Sequence, residues 1–274
     1  MLTATTIHEK ITAKIIAAIE QGQVPPWRKP WRLDLENTGF PCDPHPYTGI
    51  AVFLLNMGAS EKNLASKFWT TQPVWEKLGG RVSGEGTLIP SRGDPNRWIT
   101  VFNADQLCGG ATDRFRSRRR AVPLTPDYSP AEAVIKASGA DIRHVHGLEA
   151  AYYYADDYIV FPHFWQFVEG PGGINAYYDS LFHELAGHFT ETRLGWDCPN
   201  SCVNELRAEI AAPFTTARLG LPVFSEMKKL TNHNNHIDRW VTAMHADPTL
   251  IFKVAQSASD GVEYLLSATK GASS

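Results

Sequence analysis

Two histidines, His183 and His188, flank Glu184-Leu185-Ala186-Gly187 in the hexapeptide HELAGH. Zinc peptidases commonly use HExxH, because residues four apart on a helix share a face and both imidazoles reach one ion. The glutamate beside the first histidine then acts as general base toward water at the metal. Here the histidines are five apart, and on a regular helix that separates them by about 140°. A one-residue bulge restores the geometry; such bulges recur at functional sites, and Gly187 tolerates the distortion. Without the bulge, the same residues belong to an ordinary charged surface helix.

Sixteen residues further on, Asn204-Glu205-Leu206-Arg207-Ala208-Glu209 falls within another predicted helix. Glu205 and Glu209 are four apart and project from one face. In a gluzincin arrangement His183, His188 and Glu205 bind the metal, Glu184 is the catalytic base, and Glu209 fixes a ligand imidazole by accepting its other N–H. The expected ion is Zn2+, although the donor set also suits another divalent metal. His233, in Thr231-Asn232-His233-Asn234-Asn235-His236, offers an imidazole to stabilise an oxyanion; a polar helix cap is the alternative. His144 and His146 stand close enough in sequence to Tyr152–Tyr154 to line a cleft, and nothing in the sequence selects one tyrosine as catalytic. Four cysteines in 274 residues do not make a disulfide framework. Cys198 and Cys202 lack a partner Cys/His pair at metal-binding spacing, so all four read as reduced, structural thiols.

The elements that must position these groups follow from periodicity. Ile7, Ile11, Ile15 and Ile19 recur at helical spacing after a Thr6/Glu9 capping-box pair, and Gly22 with Pro25-Pro26 stops that helix near residue 21. The Pro-rich, aromatic and basic stretch PPWRKPWR follows. Residues 47–58 form a buried segment whose length does not decide helix against strand, and TLIP and RWITVFN read as short strands. In the second half, helices are expected near 130–138, through YYDSLFHELAGHFTETRLG, through NELRAEIAAPFTTARLG, and over Asp238–Lys253 and Ala255–Ala268. AAYYYADDYIVFP reads as one extended stretch. The fold class is α+β: a small α+β unit over 1–118, a Pro- and Arg-rich linker over 119–130, and a mostly helical unit over 131–274.

Composition is that of a soluble globular protein, 43 % hydrophobic and 20 % charged. No apolar run reaches the length of a membrane span and no secretory signal opens the chain, so a cytoplasmic location without membrane contact is expected. Residues 1–120 hold 16 Lys+Arg against 11 Asp+Glu, and the remainder 10 against 18. A basic first half beside an acidic second half suggests two units with different partners, the first mixing basic with aromatic residues. Trp27, Arg28, Lys29, Trp31 and Arg32 offer that mixture, and Lys67, Phe68, Trp69 and Lys77 repeat it. The alternative is that these tryptophans pack the core while Lys and Arg are solvated.

AAYYYADDYIVFPHFWQF, INAYYDSLFHELAGHFTETRL, NELRAEIAA and NHNNHIDRWVTAMHADPTLIFKVAQSASDGVEYL resemble, in that order, the metallopeptidase domain of plasmid antirestriction proteins of the ArdC type. ITAKIIAAIEQGQVPPWRKPW, YTGIAVFLLN and SKFWTTQPVWEKLGGRV resemble the single-stranded-DNA-binding domain that this family shares with TraC-type plasmid primases. The resemblance covers nearly the whole chain. It implies a zincin-like second domain and a role in protecting incoming plasmid or phage DNA from host restriction, with non-sequence-specific binding of single strands; if the site is catalytic, a host protein is a further partner as its substrate. It also carries His183, Glu184 and His188 onto the family's HExxH, Glu205 and Glu209 onto its later acidic motif, and His233 onto a histidine before the C-terminal helix. The extra residue in HELAGH departs from that pattern and is similar to the HExxxH of the dipeptidyl peptidase III family. Two rival expectations remain: a DNA-binding shield whose metal is structural, and a peptidase whose DNA binding is incidental.

Overall fold

The computed structural model describes residues 4–22, 24–28, 40–115, 126–168, 172–196, 198, 200–223 and 234–271. The first helix, α1 (Ala4–Glu20), buries Ile15, Ile16 and Ile19 and ends ahead of Gly22, whose φ of 67° an L side chain rarely adopts. Because the helix already runs at Ala4, Thr6 lies inside it and is not its cap. The ambiguous segment becomes a helix, α2 (Ile50–Lys62). Its Ile50–Leu55 run is buried all round, which is why no one-sided stripe was visible. Strands β1 (Trp69–Thr70), β2 (Arg81–Val82), β3 (Thr87–Ser91), β4 (Asp94–Asn103) and β5 (Leu107–Cys108), with the short helix α3 (Gln72–Lys77), complete this half. They pair antiparallel in the orders β1-β4-β3 and β2-β5, and the expected strands TLIP and RWITVFN are the β3–β4 hairpin.

In the second half α4 (Ser129–Ser138) precedes a three-stranded sheet of order β6-β8-β7. Its strands are β6 (Asp141–His144), β7 (Ala151–Tyr153) and β8 (Tyr158–Phe161). The stretch expected to be continuous is therefore a hairpin, turned at 154–157 with Asp157 at φ 55°. Helices α5 (Phe164–Val168) and α6 (Gly173–Phe182) lead into a π-helical segment, His183–Phe189, and then α7 (Thr190–Leu194). Helices α8 (Ser201–Arg218), α9 (Asn234–Ala246) and α10 (Leu250–Gly271) follow. The tail breaks at Asp247–Thr249 rather than at residue 254: Asp247 Oδ1 accepts from the Thr249 amide (2.8 Å) and hydroxyl (2.6 Å), an Asx turn that starts a new helix. Among the described residues no helix is long and apolar enough to cross a membrane.

One hydrophobic core joins the two halves. Trp27 packs on Phe53, and Phe53 and Phe40 both meet Phe214 of α8, with ring centroids 5.5–5.8 Å apart. The Gly49 amide donates to Ser259 Oγ (2.7 Å) and Thr12 Oγ1 to the Pro248 carbonyl (2.7 Å), tying the first half to α10 and the turn before it. Residues 116–125, which hold most of the expected linker, lie outside the described residues.

The π-helical segment is fixed by its neighbours. A Cβ on Gly187 would lie 2.3 Å from Ala208 Cβ and 2.6 Å from Ala208 Cα, so α8 comes close only because residue 187 is glycine. Arg207, fully buried, donates to the Gly187 carbonyl, to Thr190 Oγ1 (2.9 Å) and to Ser257 Oγ (2.7 Å). Thr190 Oγ1 in turn donates to the Ala186 carbonyl (2.7 Å). Carbonyls released from regular i→i−4 bonding thus find donors. Gly187→Ala should therefore cost about 3 kcal/mol, the upper end for overpacking against backbone, read as a lower urea midpoint at unchanged slope. A wild-type midpoint would show that the helices are not in contact there.

Candidate metal centre

Because residues five apart stack in an i→i+5 helix, the π segment brings His183 and His188 onto one face, with ring centroids 5.3 Å apart. Glu205 projects from α8 between them. His183 Nε2 lies 3.4 Å from Glu205 Oε2, and His188 Nε2 lies 3.5 Å from Glu205 Oε1. One donor atom from each of the three residues falls within 4.8 Å of the others, the one such group of metal-ligating side chains among the described residues. Glu184, on the same segment, is only 5 % exposed, and its Oε2 has no hydrogen-bond partner. An unpaired buried carboxylate oxygen is costly unless something polar is meant to meet it.

The electrostatics are those of a cation site. Burial disfavours protonated His183, but the Glu205 hydrogen bond and the charges of Glu184, Glu205 and Glu209 outweigh it and raise its pKa to about 9. Burial likewise works against the Glu205 carboxylate. The His183 hydrogen bond and the charges of His183, His188 and His236 overcome it and lower its pKa to about 2.

Each imidazole also has a polar group behind it. His183 Nδ1 lies 4.0 Å from Glu209 Oε2, so Glu209 acts on the ring by charge and does not accept the N–H hydrogen bond the sequence led us to expect. Glu209 is gripped by Arg28, through Nε to Oε1 (2.6 Å) and Nη2 to Oε2 (2.8 Å), while Arg28 Nη1 donates to Asp179 Oδ2 (2.6 Å). The two carboxylates outweigh burial and keep the guanidinium charged. On the other side His188 Nδ1 lies 2.8 Å from the hydroxyl of Tyr154, which also bonds Glu191.

The expected groups His183, Glu184, His188, Glu205 and Glu209 are thus together. His233 lies outside the described residues; His236, three positions on, is the imidazole of that segment whose charge acts on Glu205. His144 and His146 are engaged elsewhere, His144 Nε2 3.4 Å from Tyr177 Oη and His146 stacked on Trp165. Sequence reasoning missed Asp179, Tyr154, Glu191 and the roles of Arg28 and Arg207. Glu191 had a usable signal, since it follows His188 by three and shares its helical face.

The expected DNA contacts divide. Trp27 (0 % exposed), Arg28 (8 %) and Trp69 (2 %) are buried and cannot serve as a surface track: the tryptophans fill the core, and Arg28 is committed to Glu209 and Asp179. Lys29, Trp31 and Arg32 lie outside the described residues. Lys77 is exposed on α3, and Lys67 lies over the Phe68 ring at 5.4 Å. Two further pairs of this kind were not anticipated: Arg92 over Tyr47 (4.5 Å) and Arg114 over Phe115 (4.6 Å), with Phe115 against Phe68.

Residues 5–90 match the family model for the N-terminal domain of anti-restriction factor ArdC, and residues 129–257 match that for a zincin-like metallopeptidase. A DNA primase TraC of Escherichia coli is 27% identical over 309 residues, covering 94% of this chain but 20% of the primase. A second Escherichia coli TraC primase is covered over 27% of its length, so the chain spans about a quarter or less of these relatives. The uncharacterized protein y4eC of Sinorhizobium fredii (strain NBRC 101917 / NGR234) is 27% identical, with 96% of this chain and 92% of that protein covered. Two crystal structures of the antirestriction ArdC protein from R388 plasmid superpose over 96% of this chain. The metal-free form has TM-score 0.75, 29% identity and 98% of its chain covered; the Mn(II)-bound form has 0.74, 30% and 97%. This chain belongs to the ArdC antirestriction family, with the α+β arrangement of an ArdC N-terminal region followed by a zincin-like domain.

Proposed function

We propose that the protein binds single-stranded DNA through its N-terminal half, residues 1–118, and holds one divalent ion, zinc in the first place, in its C-terminal half, residues 131–274. The ligands are His183 Nε2, His188 Nε2 and Glu205, and the site is that of a peptidase. The observation that carries this reading is the orphaned Glu184 Oε2 beside three convergent donors. Two histidines and one carboxylate are the donor set of catalytic rather than structural zinc, which is usually closed by four protein ligands. The Mn(II) in the R388 protein's crystal structure supports divalent-metal chemistry in a relative of the same architecture. When bound, the ion would supply Lewis acidity toward a peptide carbonyl and an attacking water. Glu184 takes the water's proton, and the burial of its carboxylate keeps bulk water from competing for it. His233, beyond the described residues, or His236 of the same segment would stabilise the developing oxyanion.

On the DNA side, Lys67 with Phe68 and Arg114 with Phe115 form the basic and aromatic track, and Arg92, exposed over buried Tyr47, adds a cation to it. Acting in the recipient cytoplasm, such a protein would shield incoming plasmid or phage strands and cleave a host protein.

Metal analysis should find one ion per chain, and none in His183→Ala. Glu184→Gln should keep the ion and the DNA affinity but lose peptide hydrolysis and protection from restriction. Protection undiminished in that variant would leave a shield with a structural metal. Lys67→Glu combined with Arg92→Glu should weaken oligonucleotide binding and flatten its salt dependence by about 0.7 in log–log slope per lost phosphate contact. An unchanged slope would remove these residues from the track.

The pH behaviour has a definite sign. His183 is raised from 6.5 to about 9, so its ion pair stabilises the metal-free fold fully below pH 6.5, and that contribution is lost as pH rises toward 9. Metal must displace the same proton, so ion affinity should rise over that interval by up to about tenfold per pH unit. Metal-free melting temperature and metal affinity should therefore move in opposite directions. Parallel trends would contradict the assignment of His183 as a ligand.

A further inference from the structure

The reading of His183, His188 and Glu205 as a metal site leaves open what aims the second imidazole. We infer that Tyr154 and Glu191 form a relay that holds His188 in its Nδ1–H tautomer, so that Nε2 presents a lone pair toward Glu205 and any shared ion. The inference rests on proton counting. A tyrosine hydroxyl has one proton to give, and here it goes to Glu191 Oε2, an acceptor-only carboxylate. The same oxygen lies 2.8 Å from His188 Nδ1, so in that contact it accepts and Nδ1 donates. A neutral ring protonated at Nδ1 is bare at Nε2.

The surroundings keep the relay in this sense. The Tyr154 hydroxyl sits between the two groups, bonded to Glu191 Oε2 on one side and 2.8 Å from His188 Nδ1 on the other. Glu191 is buried, and the charge of Arg207 acts across the π segment to balance it. The hairpin turn that carries Tyr154 is braced to α7. Arg193 Nη2 donates to both carboxylate oxygens of Asp157 (2.8 Å each), and Tyr152 Oη donates to Asp157 Oδ1 (2.6 Å). Sheet and site helix are thereby set relative to one another at the point where the tyrosine reaches across. Tyr154 is a positioning residue in this scheme, acting through His188, and its half-exposed ring forms part of the site's rim.

The first test needs no metal. In metal-free protein with 15N-labelled histidine at mildly alkaline pH, long-range 1H–15N correlations should identify His188 as the Nδ1–H tautomer; an Nε2–H ring would overturn the relay. The second test uses cobalt(II) as probe, followed by its visible absorption. Tyr154→Phe and Glu191→Gln should each weaken binding by about tenfold, the lower end for loss of a group that orients a ligand. Metal-free Tyr154→Phe should melt below wild type, because buried Glu191 Oε2 loses its donor, so cobalt affinities are compared at a temperature where both proteins are folded. Wild-type cobalt affinity in both variants would also overturn it. A wild-type protein that binds no cobalt would instead remove the metal reading, while the tautomer measurement still decides the relay.

Discussion

The structure depends on one steric and hydrogen-bonding constraint: α8 lies so close to the π segment that only glycine fits at residue 187, and Arg207 must accompany it. The five-residue spacing of His183 and His188 defeats chelation on a regular helix and becomes useful only when the turn is widened. A widened turn alone would leave carbonyls without donors. The guanidinium of Arg207, reaching the Gly187 carbonyl and Thr190, supplies them from a fully buried position. Burial lowers the Arg207 pKa to about 10, and the charge of Glu191 works against that loss. Four of the five residues Glu205–Glu209 of α8 therefore have a task at the site, Leu206 being in the core: Glu205 faces the two Nε2 atoms, Arg207 satisfies the carbonyls, Ala208 admits the glycine, and Glu209 lies behind His183.

The sequence divides by charge and by family similarity, yet the packing does not divide there. Arg28 comes from the Pro-rich stretch that reads as a basic DNA loop, but it is spent on two buried carboxylates, Asp179 and Glu209, beside His183. Leaving either carboxylate without its cation would strand a buried charge, which costs far more than a surface ion pair contributes. The aromatic cluster of Trp27, Phe40, Phe53 and Phe214 makes the same connection in apolar terms. The site helix is thus supported by residues from the beginning of the chain.

Much of this was legible in the sequence, for reasons that differ from residue to residue. Spacing alone grouped His183, Glu184, His188, Glu205 and Glu209 and called for a bulge between the histidines, because helical geometry is local. The strands TLIP and RWITVFN were readable from alternation. Residues 47–58 were not, because a helix buried on all sides carries no stripe. Arg28 misled, since a guanidinium in a Pro-rich stretch looks the same in sequence whether its partners are phosphates or carboxylates 151 and 181 positions away. Tyr154 stood among several tyrosines with nothing to distinguish it until the hairpin turn placed its hydroxyl on His188.

X-ray absorption of the zinc-loaded protein is the most direct test of whether the widened turn makes a chelate. A chelate built on His183, His188 and Glu205 has a first shell of two imidazole nitrogens and carboxylate oxygen at about 2.0–2.2 Å, with one imidazole lost in His188→Ala. A shell containing sulfur at about 2.3 Å, or a spectrum unchanged by that substitution, would contradict it.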